Sequence, residues 1–242
     1  MPPGTGLFSV DEVADGRGVI VESRAYAGLA GVECPAASLH LPVIHISSHE
    51  VFAPLESGQG FFEQDRPGGH EARALALIEA EEQARALGKA IILRLPLLVD
   101  LQSGHWFDAL LTRLSTQDWL GVSETTRLDP VCMKEACRVV IALAQQIACG
   151  AENWGVMHLR SAEPCFEAEF ADHVVRQLKK EQMPAAQLDV TKGPSTWTGP
   201  LSVLAGRRLT DTFGVQMRSW RLGVKPLMQR WIDEKRAQDA HL

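Results

Sequence analysis

His45 and His49, four residues apart with Glu50 beside the second, are the nearest this sequence comes to a metal-ligand set. On an extended strand i,i+4 residues lie about 13 Å apart, too far to share one zinc ion, so strand-end or buried histidines are expected and no metal. Cys132 and Cys137, five apart in a helical stretch, do not share a face and read as small core residues. A serine hydrolase would need a G-x-S-x-G elbow, which the sequence lacks. Arg160 and Ser161, ending a strand-like segment, carry groups able to contact a phosphate; a solvated surface arginine is the competing reading. Trp106, Trp119 and Trp154 offer rings on which a base could stack, against the competing reading of core packing.

Dinucleotide binding by an α/β sheet needs glycines where the backbone approaches the pyrophosphate, followed by a helix whose N-terminus faces it. Neither G-x-G-x-x-G nor G-x-x-G-x-x-G occurs. Gly28 and Gly31 give only G-x-x-G, and Cys34 and Pro35 follow where a third glycine and a helix are wanted. An ordinary turn is the expectation there.

The elements that must position these groups alternate. Residues 18–21, 42–48 (PVIHISS) and 90–95 (AIILRL) read as strands, the last apolar enough to be covered on both faces of a parallel sheet. Between the last two, a Pro67-Gly68-Gly69 turn precedes an Ala/Glu-rich helix ending near Gly88, with Glu81 and Arg85 spaced for an i,i+4 pair. Leu75 and Leu77 fall on different sides of that helix, which predicts burial on more than one face. Phe107, Leu110, Leu111 and Leu114 mark a further helix. Residues 131–149 form a long helix, 155–160 a strand, and Phe166, Phe170 and Val174 the stripe of another helix. The tail from Lys225 is helical. Strand, helix, strand at this spacing is a βαβ unit.

Composition sets outer limits. With 45% hydrophobic and 22% charged residues the chain can bury a core without metals or disulfides. No apolar run approaches the roughly 18 residues needed to span a bilayer, and the N-terminus lacks the order of a signal peptide, so no membrane association is expected. The net charge of −6 and scattered basic residues argue against nucleic acid. Five cysteines, an odd number without CxxC, fit buried thiols in a reducing cytoplasm.

The segment Ser47-Ser48-His49-Glu50-Val51-Phe52 after a strand resembles the STDYVF segment of the dTDP-4-dehydrorhamnose reductase (RmlD-like) family of extended short-chain dehydrogenases. Arg24-Ala25-Tyr26 through Val32-Glu33-Cys34-Pro35, Glu63 with Asp65, Leu93-Arg94 and Gly104-His105-Trp106-Phe107 follow other landmarks of that family in order. So do Pro200, Ser202, Leu204, Arg208-Leu209, Phe213-Gly214 and Trp220 through Lys225. The resemblance covers residues 18–232. It implies an α/β fold: a reduced Rossmann-like parallel sheet in residues 1–100 that lacks the first βαβ, and residues 101–242 completing the sheet and adding a small C-terminal α+β substrate-type lobe.

The departures decide the functional expectation. Reductases of this type use a tyrosine with a lysine four residues on, because a phenol near pKa ~10 is a poor proton donor at neutrality without a cation beside it. Counted from Asp65, Arg73 and Leu77 occupy those positions, and the chain's one tyrosine, Tyr26, precedes Ser48 and has Ala30 four residues on. Of the catalytic set only Ser48 is retained. No helix fits between Pro35 and Pro42, and Trp106 and Val131 replace hydrogen-bonding residues of the substrate side. The resemblance therefore implies a non-catalytic sugar-nucleotide-binding or regulatory protein without a cofactor, with Ser47, Ser48, His49, Arg94, Trp106 and Arg160 as ligand-binding candidates. The competing reading is an NAD(P)-dependent sugar-nucleotide reductase or epimerase whose start lies upstream of Met1. An exposed sheet edge left by the missing βαβ predicts a homo-oligomer or a protein partner.

Overall fold

The computed structural model describes residues 18–23, 25–28, 40–53, 60–102, 105–191 and 203–239. Its main sheet has four parallel strands in the order β1 (Ile20–Glu22), β2 (Val43–Ser48), β3 (Ala90–Leu95) and β8 (Gly155–His158). Every residue of β2 and β3 is buried, as expected for central strands covered on both sides. The register pairs Glu22 with His45, His45 with Ile92, Ser47 with Arg94, and Arg94 with His158. Paired residues of a sheet share a face, so one face carries a row of polar side chains: Glu22, His45, Ser47, Arg94 and His158. The opposite face carries Ile44, Ile46, Ile91, Leu93 and Met157 and packs on Ala136, Val139, Leu143 and Ile147 of α3 (Met133–Ala148).

Helix α1 (Ala72–Ala86) covers the polar face. Its buried positions are Ala74, Leu77, Glu81 and Ala84, a single stripe at spacings of three and four. The expectation of burial on several faces is thus corrected: Leu75 is exposed and Leu77 fully buried. The stripe escaped notice because one of its core positions is a glutamate. Gly69 lets the turn before α1 close, since a Cβ there would stand 2.6 Å from that of Ala74 and 2.8 Å from the Glu50 carbonyl oxygen.

The remaining chain builds a second core. After β4 (Leu98–Val99) come α2 (Trp106–Thr116), β5 (Trp119–Ser123), β6 (Arg127–Leu128) and β7 (Val131–Cys132) ahead of α3; β9 (Cys165–Phe166), α4 (Glu167–Lys180), β10 (Gln187–Thr191), α5 (Arg208–Phe213) and α6 (Trp220–Asp239) follow β8. β5 and β10 pair in parallel, β4 with β7 in parallel, and β6 with β9 antiparallel. Phe107, Leu111, Leu120, Phe170, Val174, Trp220 and Trp231 meet inside this lobe. Three expectations change here. The long helix begins at Met133, because Val131 and Cys132 pair with β4 instead. Phe166 is exposed at the N-cap of α4, leaving the stripe to start at Glu167. Cys137 and Cys149 are exposed rather than buried, while Cys132 and Cys165 are buried.

Two contacts explain motifs near the C-terminus. The Arg208 guanidinium donates to the carbonyls of Trp154 (2.7 Å) and Val156 (3.2 Å), occupying acceptors along the outer edge of β8. Gly223 of α6 lies against the Cys132 side chain, where a Cβ would stand 2.8 Å from that of Cys132. Gly223→Ala should therefore destabilise by about 1–3 kcal/mol through overpacking, although alanine is the better helix former. A urea titration checks the sign; stabilisation would show the two segments are free to part. No described helix is long and apolar enough to cross a membrane.

Candidate functional site

In an open parallel sheet, ligands sit beyond the carboxyl ends of the strands. Ser48 closes β2 there and caps a single 3-10 turn, His49–Val51, accepting from the Glu50 N–H at 3.2 Å. Its hydroxyl donates to Glu50 Oε1 at 3.1 Å. Glu50 in turn binds Arg73 through Oε2 at 2.8 Å, and Arg73 donates to the Tyr26 carbonyl at 2.9 Å with its guanidinium over the Tyr26 ring. The structure thus joins Ser48, Glu50, Arg73 and Tyr26 into one chain that includes the sole tyrosine. The Tyr26 phenol is pushed up to about 12, by burial first and the Glu50 carboxylate second, while the Arg73 charge pulls the other way and loses. The Tyr26 phenol is therefore not poised to exchange a proton near neutrality. Leu77 is fully buried against Val51, Phe52 and Leu204.

Directly beneath lies a dry ion pair. Arg94 forks onto Glu81, Nε to Oε1 at 2.8 Å and Nη2 to Oε2 at 2.7 Å, with both side chains 1% exposed. Ser47 donates to Glu81 Oε1 at 2.6 Å. Arg85 reaches Glu81 only at 3.9 Å, so the expected i,i+4 pair is the weaker of the two. Ser47 and Arg94 therefore buttress the site from inside the sheet rather than face a ligand. His45, likewise buried, binds Glu22 at 2.7 Å, and His49 lies 3.3 Å from the Leu95 carbonyl oxygen. Among the described residues no three His, Cys, Asp or Glu side chains converge as metal ligands.

A strap crosses the same end of the sheet. Phe61 and Leu204 form a parallel bridge, and the Phe61 ring stacks on Phe52 at 4.1 Å between centroids. His158 Nδ1–H donates to the Ala205 carbonyl at 2.9 Å, Arg160 donates to that of Gly206 at 3.2 Å, and the Arg208 N–H donates to Glu63 at 3.2 Å. Gly206 takes φ 101°, a conformation that L side chains rarely adopt, and the Glu63 carboxylate packs against it. Arg160 thus spends at least one donor on the strap.

Sequence reasoning missed two buried groups here. Burial raises the Asp129 carboxyl to about 7, against the lowering effects of the Ser161 N–H, Arg160, the Leu204 N–H and Arg127. Burial, then the Arg94 charge, lowers His158 to about 4. Asp129 keeps its proton in the folded state where the unfolded chain releases it, so its stabilising contribution is full below 3.8 and lost as pH rises through about 7. His158 acts oppositely: its contribution is present above 6.5 and lost as pH falls through about 4. Over the shared window they offset. Asp129→Asn should therefore make stability fall more steeply on acidification than in the unsubstituted protein, as urea midpoints at a series of pH values would show; an unchanged slope would refute it. No local spacing signals either group, because their environments are set by segments far apart in sequence.

Of the tryptophans, Trp106 is half-buried, donating to the Leu98 carbonyl at 2.6 Å and packed on Phe107 and Phe170. Trp154 packs against the sheet core. Trp119 is exposed. Gly28 turns with φ 81°, while Arg24, Gly31, Val32, Glu33, Cys34, Pro35, Gly104, Pro200, Ser202 and residues 1–17 lie outside the described residues.

Comparison with known proteins follows this geometry. A profile of the family described as RmlD substrate binding domain matches residues 13–232. Comparison with curated proteins gives no match. Among solved structures, a dTDP-4-dehydrorhamnose reductase from Clostridium acetobutylicum superposes with a TM-score of 0.67 at 22% identity, over 81% of this chain and 68% of that one. A dTDP-glucose 4,6-dehydratase from Bacillus anthracis in complex with NAD gives 0.68 at 12%, over 89% and 73%. A dTDP-4-dehydrorhamnose reductase from Bacillus anthracis in complex with NADP gives 0.60 at 17%, over 81% and 67%. At these identities the likeness establishes the Rossmann-like fold.

Proposed function

This chain belongs to the RmlD substrate binding domain family, and from that premise we propose that it is a sugar-nucleotide-binding member that does not carry out reduction. The observation that carries the reading is the Ser48-Glu50-Arg73-Tyr26 chain: the Ser48 hydroxyl is tied to a carboxylate and through it to a guanidinium, and Leu77, which this reading sets at the lysine position, is fully buried. In this reading residues 1–100 supply the partial Rossmann-like unit, and residues 101–242 complete its sheet and form the lobe that grips the sugar nucleotide. Ser48 and His49 at the strand end, with Arg160 and Trp106 beside the strap and lobe, are the groups offered to the ligand.

The missing G-x-G-x-x-G and G-x-x-G-x-x-G patterns are what support a reading without a resident cofactor. The fold also supports the competing reading, because relatives of the same architecture hold NAD or NADP. Calorimetric titration separates them. Saturable binding of dTDP-glucose or UDP-glucose with no NADPH binding is expected; micromolar NADPH binding would favour the reductase. A reducing cytoplasm fits the free thiols among the described residues, and a second copy or protein partner fits the exposed Val21 on β1, an edge among the described strands.

A further inference from the structure

We propose that a groove at the distal end of the C-terminal lobe, walled by Trp119, is a second binding site that takes an uncharged pyranoside. Helix α2 begins at the crevice, with Trp106 bonded to the Leu98 carbonyl, and its 11 residues carry the chain roughly 16 Å away before Trp119 starts β5. The groove is therefore separate from the strand-end site and goes beyond the function proposed above. It measures about 530 Å³, within the usual range of small-molecule sites, and Thr116, Gln117, Asp118, Trp119, Pro184 and Gln187 are among its lining residues.

Three features define the ligand. Trp119 is 65% exposed although its neighbours Leu120 and Val122 are buried, so an indole face is left open on a lobe that had an apolar core available to it. The negative face of an indole attracts the slightly positive C–H edge of a pyranose ring. The parallel register sets Trp119 beside Gln187, and Gly121 beside Asp189, on the outer face of the ribbon. Asp118 accepts, and Gln117 and Gln187 both donate and accept, which matches the paired donor and acceptor character of adjacent sugar hydroxyls. No lysine or arginine lines the groove, and Asp118 would repel a phosphate, so nucleotide sugars are excluded.

The test is tryptophan-fluorescence and calorimetric titration of the whole protein with methyl glucopyranoside, methyl mannopyranoside, methyl galactopyranoside and maltotriose. Saturable millimolar or tighter binding of at least one probe is expected. It should be lost in Trp119→Ala and weakened at least tenfold in Asp118→Ala, with thermal melts of both variants unchanged because the side chains are exposed. Competition by dTDP-glucose should be absent. Failure of all four probes to bind, or binding undiminished in Trp119→Ala, would overturn the proposal. So would a concentration-dependent dimer abolished by Trp119→Ala, which would make the groove a contact between copies of this chain.

Discussion

Leu77→Lys should be among the most damaging single substitutions in this protein. Counted from Asp65 the residue falls at the position expected for the reductases' lysine, yet it lies on the buried face of α1 among Val51, Phe52 and Leu204. A lysine there must lose its charge or drag water into the core; buried lysines shift by up to 3–5 pKa units, equivalent to about 4–7 kcal/mol. For a chain of this size each kcal/mol moves the melting temperature by roughly 2–4 °C, so an expected fall exceeding about 8 °C is readily measured. Arg73→Tyr, at a half-exposed position, should cost about 1 kcal/mol or less. The double substitution should therefore fail to restore reduction and fail first as a folded protein. Tolerance of Leu77→Lys within about 1 kcal/mol would mean that the position opens toward the crevice.

The second large effect concerns the buried pair. Arg94→Met strands the Glu81 carboxylate, and Glu81→Leu strands the guanidinium; either change should cost about 3–5 kcal/mol. Removing both charges together with the Ser47 hydroxyl, in Ser47→Ala/Glu81→Leu/Arg94→Met, should recover more than half of that loss. The reason is that the pair repays the dehydration of two ions rather than adding much beyond it. Urea denaturation of the single and combined variants measures the coupling. Losses that simply add would show that the groups act independently.

Much of the fold was legible because β2, β3, α2 and α4 carry simple signals: short runs rich in isoleucine, leucine and valine for the strands, and apolar stripes at helical spacing for the helices. Strands β5 and β10 were missed. They are short, and Trp119, Gly121, Gln187 and Asp189 on the open face of the ribbon break the apolar signal. The polar face of the main sheet was also hidden. Glu81 reads as a surface residue of an Ala/Glu-rich helix, and only the folded register brings Arg94 and Ser47 to it. At the site, the composition revealed a lone tyrosine away from its usual place. That Arg73 reaches back to Tyr26 across 47 positions required the structure.

The most direct measurement is a turnover assay: purified protein, a dTDP-4-dehydro sugar and NADPH, followed by nicotinamide absorbance and by product analysis. On the proposed reading, with Ser48 bound to Glu50 and no Tyr-x-x-x-Lys pair in the sequence, no consumption of NADPH above the protein-free rate is expected, even where the sugar nucleotide binds. Consumption of NADPH in step with formation of the reduced sugar, abolished by Ser48→Ala, would contradict it.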